Sequence, residues 1–141
     1  MKKVMFLCTG NSCRSQMAEG FAKELGKGII EPYSAGVISS FVHPRAIAVM
    51  REIGIDISGQ KSKEMDENLL IKMDIIITLC SNAEKSCPLT PPEIKRFHWP
   101  IEDPVSASGT EDEIMNEFRR ARDEIKEEIA KFISDFDNQQ F

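Results

Sequence analysis

The chain has 141 residues, 41% apolar and 29% charged, which suits a single soluble globular domain with a hydrophobic core of its own. The formal net charge of -5 argues against nucleic acid or an anionic membrane as the main partner, but not against a local positive site for a small anion. The apolar run near the start stops after five residues, far short of the ~18 of a membrane span, so neither a signal peptide nor a membrane helix is expected and the chain is read as cytoplasmic.

Lys3–Leu7 (KVMFL) reads as a short buried strand. A helix follows over Ser15–Leu25, with Met17, Ala18, Phe21, Ala22 and Leu25 on one stripe. Gly28–Gly36 (GIIEPYSAG) predicts a second strand, and Pro32 places it at a sheet edge. Pro44 fits the first turn of a helix running to Ile53, whose apolar face is Ile47, Met50 and Ile53 with Ala46 alongside. GIDISG closes that unit as a loop, and a short helix is expected over Asp66–Lys72. Asp74–Leu79 (DIIITL), a continuous β-branched run, is the clearest buried strand, and Lys95–Trp99 (KRFHW) predicts another. The last helix starts at a capping box, Thr110-x-x-Glu113, with a stripe of Ile114, Phe118, Ala121, Ile125, Ile129 and Phe132. The end of the chain, about residues 135–141, reads as a frayed tail.

Strands alternate with helices throughout, which implies one α/β domain over residues 1–141, with a four-stranded parallel sheet flanked by helices on both faces. Ligands of such sheets bind beyond the carboxyl ends of the strands. Cys8 directly follows the first strand, Cys80 follows DIIITL, and Asp103 lies a few residues past KRFHW. A parallel sheet therefore puts all three along one edge.

CTGNSCRS (Cys8–Ser15) joins the first strand to the first helix. Its residues Thr9, Gly10, Asn11, Ser12, Cys13 and Arg14 can curl so that backbone N–H groups face inward, and Gly10 and Asn11 tolerate the positive φ this requires. The helix beginning near Ser15 adds free N–H groups and a positive dipole end, and Arg14 offers a planar fork for two oxygens of a tetrahedral anion. The same field stabilises a thiolate at Cys8, and Ser15 is placed to donate to its sulfur. The arrangement is an activated nucleophile set against the central atom of a bound oxyanion. Cys13 has no required chemical part in this loop and is read as packing.

TLCSNAEKSCP (residues 78–88) brings two further cysteines, Cys80 and Cys87. They read as a metal clip, a structural disulfide, two buried thiols or a redox pair. A reducing compartment disfavours the structural disulfide. The spacings among Cys8, Cys13, Cys80 and Cys87 lack the close Cys-x-x-Cys knuckles of zinc sites.

CTGNSCRSQ resembles the signature loop of the low-molecular-weight protein tyrosine phosphatases and of the arsenate reductases built on their fold. Asp103-Pro104 matches the general-acid pair of both, although Val105 stands where the phosphatases typically carry tyrosine. TLCSNAEKSCP, surplus to a phosphatase, resembles the redox segment of the thioredoxin-coupled arsenate reductases. That similarity extends in order through CTGNSCRSQMAEG, YSAG, GIDIS, TLC, CP followed by PP, HW and DP, almost the whole chain. The resemblance implies that Cys8 attacks arsenate, Asp103 protonates the departing hydroxyl, and arsenite leaves as a Cys8–Cys80 disulfide forms. A Cys80–Cys87 disulfide then follows, recycled by thioredoxin. Catalytic roles thus fall on Cys8, Arg14, Ser15, Cys80, Cys87 and Asp103, with phosphate or sulfate as competing anions and a monomer expected. Residues seven apart on a helix lie ~10.5 Å apart along its axis. A disulfide needs Cα atoms within roughly 7 Å, so residues 80–90 are expected to change shape on oxidation.

The family's potassium site falls on Asn11, Glu19 and Ser34, but its aspartate is matched here by Lys63, so potassium binding is expected to be weak or absent. A phosphotyrosine or small-phosphomonoester phosphatase is the alternative activity, and a non-enzymatic oxyanion or metal binder the third. His98 and Trp99 are read as supports of the sheet edge, His43 as a surface loop residue, and Arg45 and Arg119–Arg122 as solvated helix faces.

Overall fold

A computed structural model describes residues 1–137. Four parallel strands, β1 (Lys2–Cys8), β2 (Ile30–Gly36), β3 (Ile75–Thr78) and β4 (Lys95–His98), lie in the order β2-β1-β3-β4. The helices are α1 (Arg14–Leu25), α2 (Pro44–Arg51), α3 (Glu67–Leu70), α4 (Ser81–Ser86) and α5 (Glu111–Asp137). Val4, Met5, Phe6 and Leu7 of β1 and Ile75, Ile76 and Ile77 of β3 are all buried, so the two central strands are covered on both faces. Pro32, opposite Val4, lies on the edge strand β2, as its missing N–H requires.

The helices follow the apolar stripes with two departures. Met17, Ala18, Phe21 and Ala22 of α1 are buried, but Leu25 is 39% exposed. Gly26, the residue after it, is the one that packs against Ile30 and Ile133. Likewise Ile53 is 38% exposed, because α2 ends at Arg51 and the turn beyond it abandons the helical register. Ala46, Val49 and Met50 form the buried face instead. Both halves of the α5 capping box are made: Thr110 Oγ1 accepts from the Glu113 N–H at 3.2 Å, and Glu113 Oε1 accepts from the Thr110 N–H at 3.2 Å. From there Phe118, Ala121, Ile125, Ile129 and Phe132 are buried, and α5 packs on α1 and α2. The helix runs through Asp137; the remainder of the expected tail, residues 138–141, lies outside the described residues.

Beyond the strands the chains leave the sheet in step. The Leu79 N–H donates to Leu7 O at 2.8 Å, Trp99 N–H to Thr78 O at 2.8 Å, and Ile101 N–H to Leu79 O at 3.0 Å. Cys8, Cys80 and the segment carrying Asp103 therefore emerge together at the carboxyl edge, where parallel sheets bind ligands.

Candidate active site

The loop after β1 is held by a chain of directed hydrogen bonds. Asn11 is fully buried at φ 47, the one non-glycine residue with positive φ among those described. Its Oδ1 accepts from Gln16 Nε2 at 2.9 Å and from the Lys63 N–H at 2.8 Å. That leaves Nδ2 to donate, and it does so to Ser15 Oγ at 2.7 Å. Ser15 Oγ lies 2.9 Å from Cys8 Sγ. Ser15 already accepts from Asn11, which leaves its own hydroxyl proton to be directed at the sulfur.

Arg14 is buried and fixed from the far side of the sheet edge. One guanidinium nitrogen donates to Ile101 O at 2.9 Å, and the other lies 3.5 Å from Asp103 Oδ2. Asp103 caps the short turn Pro104–Ser106 by accepting from the Val105 N–H at 3.0 Å, so Arg14 and the turn aim its carboxylate over the loop. A cleft of about 280 Å³ opens here, lined by Cys8, Thr9, Gly10, Ser12, Cys13, Arg14 and Asp103, with Phe41, His43 and Val105 on its rim. His43 is a half-buried N-cap rather than a free loop residue: its Nδ1 accepts from the Arg45 N–H at 3.1 Å. Burial holds its imidazole below the usual range, with the Arg45 charge adding to this and Asp103 opposing it. Burial pushes the Cys13 thiol far up, and the neighbouring Cys8 and Asp103 charges push the same way. Cys13 therefore lines the cleft as a neutral thiol.

All four cysteines are free. Cys80 and Cys87 stand at the two ends of α4, as its N-cap and C-cap, rather than inside it. Asn82 Nδ2 donates to Thr9 Oγ1 at 3.3 Å, and Thr9 Oγ1 lies 3.4 Å from Cys80 Sγ. The Ala83 N–H also points at that sulfur, at 3.4 Å. Cys80 is thus tied to the anion loop through Thr9. The Cys87 thiol is raised by burial, with Arg96 opposing and Glu84 reinforcing the shift.

The residues matched to the potassium site form a closed ion cluster instead. Ser34 Oγ donates to Glu19 Oε1 at 2.5 Å, and Lys23 Nζ lies 2.7 Å from Glu19 Oε2. Lys63 Nζ sits 3.9 Å from Glu19 Oε1 and donates to Lys61 O at 2.5 Å. Asn11 Oδ1 already accepts twice, and the Lys63 ammonium stands beside Glu19 where the family carries an aspartate. Glu19 is buried, unlike an ordinary helix-surface carboxylate.

Several supporting groups carried no local signal. Ile101 contributes only a carbonyl. Gln60 Nε2 meets Gln16 Oε1 at 2.7 Å, and Ser62 Oγ donates to Gly10 O at 3.0 Å, bracing the loop from the segment after Gly59. Arg122, expected on a solvated face, is buried and donates to Val49 O at 3.0 Å and Glu52 Oε1 at 2.8 Å. His98 does stand at the sheet edge, with Nδ1 2.8 Å from Thr78 Oγ1.

Similarity to known proteins follows the same lines. An arsenate reductase of Bacillus licheniformis is 51% identical over 131 residues, 93% of this chain and 94% of that protein. A solved structure described as an arsenate reductase in the phosphate binding state superposes with a TM-score of 0.76 at 46% identity, covering 95% of this chain and 98% of the other. Another, described as an arsenate reductase in oxidized state, gives a TM-score of 0.78 at 43% identity over 95% and 98%. The family model for low molecular weight phosphotyrosine protein phosphatases matches residues 3–140, and the chain belongs to that family.

Proposed function

We propose that this protein is an arsenate reductase that converts arsenate to arsenite and is recycled by thioredoxin. The observation that carries the reading is Cys80, a free cysteine bonded to the anion loop through Thr9, with Cys87 at the other end of α4. A phosphatase uses one nucleophilic cysteine and a water; it has no need of either. The names of the relatives point the same way.

The steps follow from the groups in place. Cys8 thiolate, fed by the Asn11–Ser15 relay, attacks arsenic of an oxyanion held by the loop N–H groups and Arg14. Asp103 gives a proton to the departing oxygen, which leaves as water, and a Cys8–arsenic(V) bond results. Cys80 thiolate then attacks Cys8 Sγ; the sulfur–arsenic bond breaks with its electron pair on arsenic, and arsenite departs. Cys87 attacks Cys80, freeing Cys8, and a dithiol of the thioredoxin class supplies two electrons and two protons to the Cys80–Cys87 bond. Four free thiols suit a reducing, cytoplasmic setting, and the protein acts as a monomer with Lys63 in place of potassium.

Phosphate monoesters are the second substrate class. The loop and Asp103 serve both anions, and Phe41 and His43 line the rim, so weak phosphatase activity accompanies the reductase. The test is arsenite formation coupled to thioredoxin, thioredoxin reductase and NADPH oxidation. Cys80→Ser and Cys87→Ser each lose multiple turnover; unchanged turnover in both would return the phosphatase to first place.

A further inference from the structure

The shape of the reduced redox segment has an unexplained source of support. Helix α4 has six residues, Ser81–Ser86, well below the ~12 at which an isolated helix holds itself. Ser81, Asn82 and Ser86 are weak helix formers, and Pro88 follows at once. Closing a Cys80–Cys87 bond requires this helix to open, since seven residues of helix rise ~10.5 Å. What holds it shut lies on its outer side. Thr78, fully buried at the end of β3, donates its hydroxyl proton to Glu84 Oε2. His98 Nδ1 lies 2.8 Å from the same hydroxyl oxygen, so it is the donor there. Arg96 on β4 reaches Glu84 Oε1 at 4.0 Å and donates to Pro88 O at 3.0 Å. One carboxylate therefore ties the middle of α4 to two strands, and Arg96 ties the segment just past Cys87.

We propose that Glu84, held by Thr78, His98 and Arg96, is a latch that keeps the redox segment helical while reduced and so sets the balance between the Cys80, Cys87 dithiol and its disulfide. Glu84 is a positioning residue: it touches neither anion nor sulfur. The inference rests on the disulfide relay described under Proposed function. In the exchange, the Cys80–Cys87 bond forms as the Cys8–Cys80 bond breaks and Cys8 leaves as thiolate. The latch must let go as Cys87 moves. Glu84 also opposes ionisation of Cys87 while Arg96 favours it, so release frees the arginine to face the attacking sulfur.

Interactions present only in the dithiol form raise the reduction potential of the pair. The experiment equilibrates full-length Cys8→Ser protein, in which Cys80 and Cys87 are the redox couple, with glutathione buffers at pH 7 and counts free thiols. Glu84→Ala should favour the disulfide about tenfold, which is ~30 mV more negative for a two-electron couple. Alanine is the better helix former, so propensity alone would move the balance the other way. Thr78→Val should shift it in the same direction as Glu84→Ala, whereas Lys85→Ala, on the same helix outside the latch, should not. A dithiol–disulfide equilibrium constant within twofold of the parent in both latch variants, or an equal shift in Lys85→Ala, overturns the latch alone. A parent protein that forms no Cys80–Cys87 disulfide at all overturns the relay, and the latch with it.

Discussion

Ser15 Oγ stands between Cys8 Sγ at 2.9 Å and Asn11 Nδ2 at 2.7 Å, and the amide's direction decides the hydroxyl's. Asn11 can only donate from Nδ2, which leaves the Ser15 proton to be directed onward to the sulfur. Ser15→Ala should therefore lower the single-turnover rate of arsenite formation about 10- to 100-fold, the weight of one hydrogen bond to a charged group. Alkylation of Cys8 by iodoacetamide at pH 7 should slow with it. Unchanged circular dichroism separates this from unfolding; an unaffected rate would remove Ser15 from the mechanism.

Gly36 ends β2 against the anion loop, where a Cβ would lie 2.5 Å from Ile38 O, 2.6 Å from Asn11 N and 2.8 Å from Thr9 O. All three neighbours are backbone and none can swing aside. Gly36→Ala should cost about 1–3 kcal/mol in urea unfolding. It should also weaken phosphate protection of Cys8 against alkylation, because the strain falls on the loop.

Replacing sodium by potassium chloride at equal ionic strength should change neither melting temperature nor turnover. Lys63→Asp withdraws the ammonium beside Glu19 and supplies an oxygen ligand. In that variant potassium should raise the melting temperature with the logarithm of its concentration, as linkage requires. A clear potassium gain in the wild type would contradict the reading of Lys63.

His43 is held below its ordinary value of 6.5 by burial and by Arg45, and its neutral Nδ1 is the acceptor that caps α2. A folded-state value below the unfolded one gives stability that is fully present above about pH 6.5 and is lost as pH falls through the folded value. Urea midpoints should therefore drop between pH 7 and pH 5. The drop should be smaller in His43→Asn, which still caps but does not titrate. Equal slopes for both proteins would assign the acid limb elsewhere.

Local pattern and short-range chemistry were readable from residues alone. The β-branched run before Cys80, the stripe of α5 and its capping box each depend on neighbours within a few positions. The alternation of strand and helix implied the parallel sheet, and the parallel sheet implied that Cys8, Cys80 and Asp103 share an edge. Helix ends were less readable: Leu25 and Ile53 continue the apolar period but fall where Gly26 and the turn after α2 end it. Solvation was misread where partners are distant, as at Arg122, whose carbonyl acceptor Val49 is 73 residues away in sequence.

The loop after β1, its cysteine and arginine and the two further cysteines are legible from residue type, order and spacing alone. The folded chain alone shows that Asn11 is oriented by the Lys63 backbone, that Arg14 is clamped by Ile101 O, and that Glu84 ties α4 to Thr78. The physical reason is that hydrogen bonds depend on direction and distance. Most of these acceptors are oxygens that look alike in any sequence until the sheet brings them within 3 Å of a donor.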